Sequence, residues 1–303
     1  MPVTDDDVLA ETRAFNELLA AALAELPSVH TLPPEETRRA RREGRGVFPP
    51  LVFAEQARTI EIPGRGGPIP LRLVEPETPR GAYLHIHGGG WTIGSADGQD
   101  LLLVELAEQT GMTMVSVEYR LAPEHPFPAG PDDCEDAARW LVDNYTGRLA
   151  IGGESSGAHL AVLALLRLRD AGVRGFDAAN LVFGPYDLTG TPSRLLWDGD
   201  LILTSPIMDW FADCFLPGMP HDERRDPAVS PLYAELQDLP PALFSCGTLD
   251  PLLDDSLFMA ARWRAAGNEA SLSLWEDGVH AYTAFPLEIA RRSRAEQAAF
   301  IGG

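Results

Sequence analysis

From residue 82 to the carboxyl end, short apolar segments alternate with segments whose apolar residues recur at helical spacing. Strands and helices in this order form a mostly parallel sheet that carries helices on both faces. The predicted strands are residues 82–86, 113–118, 149–152, 180–183, 242–246 and 271–275. The predicted helices are residues 100–108, 132–144, 158–170, 256–266 and a last one from residue 287. The fold class is therefore predicted to be α/β.

Two more strands precede this alternation. Residues 59–62 and 69–74 are apolar, flank a Gly/Pro turn and are predicted to pair as antiparallel strands. With the six later strands, they predict a mostly parallel eight-stranded sheet.

The domain prediction separates residues 1–50, expected to be N-terminal helices, from a main domain of residues 51–303 with an insertion at 188–229. The insertion is too apolar for an exposed loop. Its large apolar residues are Trp197, Leu201, Ile202, Met208, Trp210, Phe211 and Phe215. We expect it to form, with the N-terminal helices, a helical cap that shapes a pocket and excludes water. The alternative is an extra packing layer without contact to a ligand.

Charge and composition exclude several classes of protein. A net charge of −21 disfavours nucleic acid and anionic lipid as partners and suits a small neutral ligand. The three cysteines, Cys134, Cys214 and Cys246, are scattered and indicate neither a disulfide framework nor a zinc site. No segment approaches the roughly 20 apolar residues that a membrane span needs. The acidic start of the chain is unlike a secretory signal, so a cytoplasmic protein is predicted.

Several arginines follow one another near the start of the chain. Arg38, Arg39, Arg41 and Arg42 lie in the second helical segment, after Pro33. Such a run of like charges is typical of a solvated helix face, and we interpret these arginines in that way.

Four chemically distinctive segments each follow a predicted strand. They are HGGGW at 87–91, GESSG at 153–157, Asp250 with the two residues after it, and His280. A serine between glycines at this spacing is typical of a nucleophile elbow, where the chain turns sharply from a strand into a helix. Because ligands bind beyond the carboxyl ends of parallel strands, we expect all four segments at one sheet edge.

The residue types in these segments suit nucleophilic acyl transfer such as ester hydrolysis. Ser155 is the predicted nucleophile, and it needs a base within hydrogen-bond reach because a serine hydroxyl is weakly nucleophilic. His280 is the predicted base, and Asp250 would orient it. The N–H groups of Gly89, Gly90 and Ser156 would form the oxyanion hole.

Other residues compete for these roles. His87 is expected to brace the glycine segment, His125 to be structural in a turn, and His159 to pack on the helix after Ser155. Asp254 and Asp255 are alternatives to Asp250, but they fall on the following predicted helix.

Together these segments resemble the bacterial hormone-sensitive-lipase-like esterases, family IV of the lipolytic enzymes, within the α/β-hydrolase superfamily. The resemblance covers residue 82 to the carboxyl end. It rests on the HGGGW segment, on YRLAPE at 119–124 with PFPA at 126–129, and on DPLLD at 250–254. It implies an α/β-hydrolase fold with a helical cap, a triad of Ser155, Asp250 and His280, and no metal or other cofactor. It also implies short- to medium-chain carboxylic esters as substrates, and a homodimer in many members.

The sequence departs from the family pattern at two places. The usual GDSAG elbow is GESSG here, which adds a hydroxyl at Ser156, and Ala281-Tyr282 replaces the usual Gly-Phe after the histidine.

Alternative functions with the same machinery are hydrolysis of a lactone, an acetylated metabolite or an amide. A ligand-binding homologue without activity is the alternative from another class, because fold does not determine function.

Overall fold

The computed structural model describes residues 3–303, and these residues form an eight-stranded sheet. The strand order across the sheet is β1-β2-β4-β3-β5-β6-β7-β8. The strands are β1 Arg58–Gly64, β2 Gly67–Val74, β3 Gly81–Ile86, β4 Thr113–Val117, β5 Arg148–Glu154, β6 Ala178–Val182, β7 Ala242–Leu249 and β8 Ala270–Val279. β1 and β2 are antiparallel to each other, β2 is antiparallel to β4, and β3 to β8 run parallel. The predicted mostly parallel eight-stranded sheet is confirmed.

Helices cover both faces of the sheet. They are α1 Asp5–Ala24, α2 Pro34–Arg42, α3 Asp100–Thr110, α4 Ala129–Asn144, α5 Ser156–Asp170, α6 Pro192–Leu195, α7 Ser205–Phe215, α8 Leu253–Ala265 and α9 Glu288–Gly302. Short 3₁₀ turns lie at Val29–Thr31, Asp97–Gln99, His221–Arg225, Pro231–Tyr233 and Tyr282–Ala284. Side chains alternate along β3, so Leu84 packs in the core with α4 and α5, while Tyr83 packs with α3 and α9.

The two N-terminal helices lie in different places. α1 buries one stripe of side chains, including Thr12 and Asn16, and the Asn16 amide donates to Asp277 O at the end of β8 (2.9 Å). α2 lies instead beside the segment that follows β3, which Arg38 contacts.

The segment 188–229 contains α6, α7 and a 3₁₀ turn. The buried residues of α7 recur at helical spacing and form one apolar face: Ile207, Met208, Phe211, Ala212 and Phe215.

The interpretation of the four arginines as a solvated face is wrong for two of them. Arg39 and Arg42 are exposed, but the Arg38 side chain is only 25% exposed, and the Arg41 guanidinium donates to Pro49 O (2.5 Å). Burial also lowers the pKa of Arg41. The reason for the error is that α2 packs against the main domain along one side, and a run of identical residues does not indicate which of them face that side.

Candidate active site

Ser155 stands at a strained turn between β5 and α5. Its φ is 53° and its ψ is −123°, a conformation that side chains rarely adopt. An added Cβ at Gly153 or at Gly157 would collide with the Ile86 carbonyl oxygen of the adjacent strand. Glycine is therefore required on both sides of the serine, which is the physical origin of the GxSxG spacing. The turn leaves Ser155 half-buried.

The structure brings Ser155, His280 and Asp250 together in a chain of hydrogen bonds. His280 Nε2 lies 3.0 Å from Ser155 Oγ, and His280 Nδ1 lies 2.8 Å from Asp250 Oδ2. Asp250 Oδ1 accepts a further hydrogen bond from the Leu252 N–H (2.8 Å). Because a carboxylate only accepts, His280 carries its proton on Nδ1, and Nε2 is free to accept the serine proton. This arrangement can activate a nucleophile.

The glycine segment after β3 turns back on itself beside Ser155. Gly89 O accepts from the N–H groups of Thr92 (3.1 Å) and Ile93 (2.9 Å). Gly89 and Gly90 have φ values of 120° and 57°, and an added Cβ would collide with Ile93 at the first and with the Phe211 ring at the second. Within residues 3–303, the N–H groups of Gly89 and Gly90 donate to no other group. These donors are available to a developing oxyanion.

Ser156 is the first residue of α5 and supplies a third available donor. The N–H groups of a first helical turn have no partner within the helix, and the helix dipole adds a positive partial charge there. Within the described residues the Ser156 N–H has no acceptor, and the Ser156 hydroxyl is fully buried.

His87 contacts the glycine segment and not Ser155. Its Nδ1–H donates to Gly88 O (2.9 Å), and its ring stacks on Tyr119 at 4.3 Å between centroids. The Tyr119 hydroxyl donates to His87 O (3.0 Å). Burial lowers the pKa of His87 to about 4, so the ring is neutral at physiological pH.

A buried pair under the elbow was missed by the sequence analysis. His85 is fully buried, its Nε2 lies 3.0 Å from the Glu154 carboxylate and its Nδ1 lies 3.0 Å from Ser116 Oγ. Glu154 directly precedes Ser155, so this pair fixes the last residue of β5 before the turn. The available signal was the glutamate of GESSG, which places a carboxylate directly before the serine.

The two competing aspartates point elsewhere. Asp255 is fully buried and accepts from the N–H groups of Tyr186 (2.6 Å) and Asp187 (2.8 Å), and burial raises its pKa to about 7. Asp254 accepts from the Ser193 N–H (2.8 Å). Both residues hold the segment that leads into the insertion. His125 is exposed in a bend of the chain.

The large aromatic residues near Ser155 and in the insertion differ in what they contact. Phe211 lies directly against Gly90. Trp91 is only 5% exposed and stacks on Phe215 at 4.7 Å, and Trp197 donates to Leu203 O (2.8 Å) within the insertion. The helix α7 therefore contacts the glycine segment, and Phe211 is the aromatic residue in contact with a proposed oxyanion donor.

His159 packs on α5 behind Trp91 with both ring nitrogens occupied. Its Nε2–H donates to Val229 O (2.8 Å), and its Nδ1 accepts from the Trp91 Nε1–H (3.1 Å). Protonation of His159 Nδ1 would place a second ring proton against the Trp91 indole N–H, so two donors would face each other. Burial lowers the pKa of His159 to about 4, so the ring stays neutral where an ordinary histidine becomes charged.

This pairing predicts how stability depends on pH. The folded-state pKa of His159 is below the unfolded-state value of about 6.5, so its contribution is complete above about pH 6.5 and is lost as the pH falls towards 4. The free energy of unfolding should fall by about 3 kcal/mol through this residue. Urea unfolding at a series of pH values should show that the free energy of unfolding depends less steeply on pH in His159→Gln than in the wild type. In His125→Gln this dependence should be unchanged. An unchanged slope in the His159 variant would contradict the assignment.

Among residues 3–303 no group of three or more His, Cys, Asp or Glu side chains is arranged to hold a metal ion. None of the helices in this range is both long and apolar enough to cross a bilayer.

Comparison with known proteins gives consistent results. The model of a family described as having the alpha/beta hydrolase fold matches residues 83–284. The carboxylic ester hydrolase LipN of Mycobacterium tuberculosis is 35% identical over 228 residues, which are 70% of this chain and 60% of LipN. The ethyl acetate hydrolase of Pseudomonas putida is 31% identical over 267 residues, 81% of this chain and 82% of that protein. A hyperthermophilic esterase from Pyrobaculum calidifontis superposes with a TM-score of 0.86 at 30% identity, covering 100% of this chain and 98% of that one.

Proposed function

Because the chain belongs to the α/β-hydrolase family, in its hormone-sensitive-lipase-like branch, we propose that it is a serine carboxylesterase. The observation that carries this proposal is the hydrogen-bonded series Ser155–His280–Asp250, with contacts of 3.0 and 2.8 Å. Its relatives are named as ester hydrolases, which supports an ester as the substrate.

In the proposed reaction, Ser155 Oγ attacks the ester carbonyl while His280 Nε2 takes the hydroxyl proton. Asp250 stabilises the imidazolium that forms. The carbonyl oxygen becomes an oxyanion and accepts hydrogen bonds from Gly89, Gly90 and Ser156.

Collapse of this intermediate expels the alcohol, which receives the proton from His280, and leaves the acyl group on Ser155. Water then gives a proton to His280 and attacks the acyl carbon through the same oxyanion site. The carboxylic acid leaves as His280 returns this proton to Ser155 Oγ, which restores the serine hydroxyl. His280 acts first as base and then as acid in both halves of the reaction, and the same donors bind the oxyanion each time.

We propose short- to medium-chain esters of neutral character as the substrates. Phe211 lies against Gly90 and occupies space beside the proposed oxyanion site. The net charge of −21 disfavours anionic substrates at long range. A lactone, an acetylated metabolite or an amide would use the same residues. Nucleic acid is not a proposed partner. The homodimer, the cap formed by residues 1–50 and 188–229, and the cytoplasmic location stay predictions from the sequence.

Hydrolysis of p-nitrophenyl esters from acetate to palmitate tests this function. We expect turnover to be fastest on the short acyl chains and at least about tenfold slower on palmitate, because each methylene that the site cannot accommodate costs about 1–3 kcal/mol of transition-state binding. Folded protein that hydrolyses none of these esters would contradict the general esterase assignment. A maximum at palmitate would contradict the short-chain preference while leaving the reaction type intact.

A further inference from the structure

Arg38 of α2 reaches from the N-terminal segment to the base of the proposed oxyanion site. Its Nε–H donates to Thr92 O and one Nη2–H donates to Ala122 O, both at 2.8 Å. Its two terminal nitrogens also pair with the two carboxylate oxygens of Glu124, each at 2.8 Å. The flat guanidinium thus holds two backbone carbonyls and one carboxylate at once, which a lysine ammonium could not do.

The two carbonyls belong to segments that are already linked to each other. Ala122 N–H donates to Trp91 O (2.9 Å), and Thr92 N–H donates to Gly89 O (3.1 Å). Thr92 and Ala122 are 0% and 1% exposed, and within residues 3–303 no group other than Arg38 donates to either carbonyl. Removing Arg38 would leave two buried acceptors without partners, which is unfavourable unless the backbone moves to find new donors.

Movement of this backbone would displace the oxyanion donors. Thr92 lies two residues after Gly90, in the turn that Gly89 O closes. Three consecutive glycines, Gly88 to Gly90, have little intrinsic preference for one conformation, so the direction of their N–H groups depends on the hydrogen bonds around them. An oxyanion donor works only when it already points to the position that the oxyanion will take.

We propose that Arg38 is a positioning residue for the oxyanion segment, so that the helix α2 contributes to the rate of the chemical step. This inference rests on the proposed esterase function. Arg38 does not touch the reacting atoms. Its effect passes through Thr92 O and the turn that ends on Gly89 O. Loss of Arg38 should therefore weaken binding of the transition state more than binding of the ester.

The test compares Arg38→Met with Arg39→Met. Arg39 is the next residue on the same helix, is exposed and pairs with Glu36 of its own helix, so it is a matched control. With p-nitrophenyl acetate we expect kcat of Arg38→Met to fall by about 10- to 100-fold with KM within about twofold, because a small displacement of catalytic groups costs this much. Arg39→Met should match the wild type in both constants.

A second readout separates positioning from a general loss of stability. A trifluoromethyl ketone, which forms a tetrahedral adduct with an active-site serine, should bind Arg38→Met more weakly by the same factor as the loss in kcat/KM. The parent methyl ketone, which forms no such adduct, should bind both proteins equally. A variant with a lowered thermal unfolding midpoint but wild-type kcat and wild-type inhibition would overturn the proposal.

If Arg38→Met does not fold, Arg38→Lys decides the question, since lysine keeps the charge but its compact ammonium cannot hold all three partners of Arg38 at once. We expect the kcat of Arg38→Lys to be lower than that of the wild type, but higher than that of an enzyme whose oxyanion donors are displaced. A wild-type kcat would overturn the proposal. An inactive wild-type protein would instead refute the esterase function itself. The two failures are therefore distinguishable.

Discussion

Replacing Ser155 by alanine is expected to lower kcat for p-nitrophenyl acetate by about a million-fold, to a rate close to the background of the assay. Without Oγ there is no atom to accept the acyl group, and His280 Nε2 loses its 3.0 Å partner. The oxyanion donors remain, so the residual rate should still exceed that of ester in water. Rates are measured with folded protein, verified by its circular dichroism and its unfolding midpoint.

The matched control is Ser271→Ala, an exposed serine on β8 that is far from the elbow in sequence and takes no part in the proposed reaction. It should retain the wild-type rate. A Ser155→Ala protein that keeps more than about one per cent of the wild-type kcat would show that Ser155 is not the nucleophile, because a serine triad cannot lose its nucleophile at so small a cost.

Replacing Asp250 by asparagine is expected to lower kcat by about ten-thousand-fold without unfolding the protein. Asparagine has nearly the same shape, so the contact with the Leu252 N–H can persist. Its amide N–H₂ would face His280 Nδ1, which favours the tautomer with the proton on Nε2. In that tautomer His280 can no longer accept the proton of Ser155, and the rate falls although the three side chains stay in place.

Asp254→Asn is the control for this variant. Asp254 is four residues further along, was the competing candidate in the sequence, and contacts Ser193 and not His280. It should retain the wild-type rate. If Asp254→Asn lost more activity than Asp250→Asn, the assignment of the orienting acid would be wrong.

The position of the sheet edge was predictable because it depends on local patterns. The apolar strands before His87, Ser155 and Asp250 were found by composition, and parallel strands bring their carboxyl ends together whatever the details of packing. The strand ends were less predictable. β8 continues to Val279, beyond the predicted residue 275, because pairing with β7 resumes after an irregularity between Gly247 and Leu249.

Contacts between distant segments were not predictable from one sequence. Arg38 looked like its neighbours Arg39 and Arg42, and only the packing of α2 shows that it lies near Thr92. The same is true of His85 and Glu154, which are 69 positions apart and meet across two neighbouring strands. In both cases the residue type allowed the contact, but its partner was set by the tertiary structure.

The most direct test of the central claim is to identify the acylated residue. The protein is mixed with p-nitrophenyl acetate, quenched in acid during turnover, digested and analysed by mass spectrometry, with Ser155→Ala treated in parallel. We predict a single acetyl group on the peptide that contains Ser155, absent from the variant and lost on longer incubation as water completes the reaction. Acetylation of another residue that also appears in the Ser155→Ala protein, at the rate of turnover, would contradict Ser155 as the nucleophile.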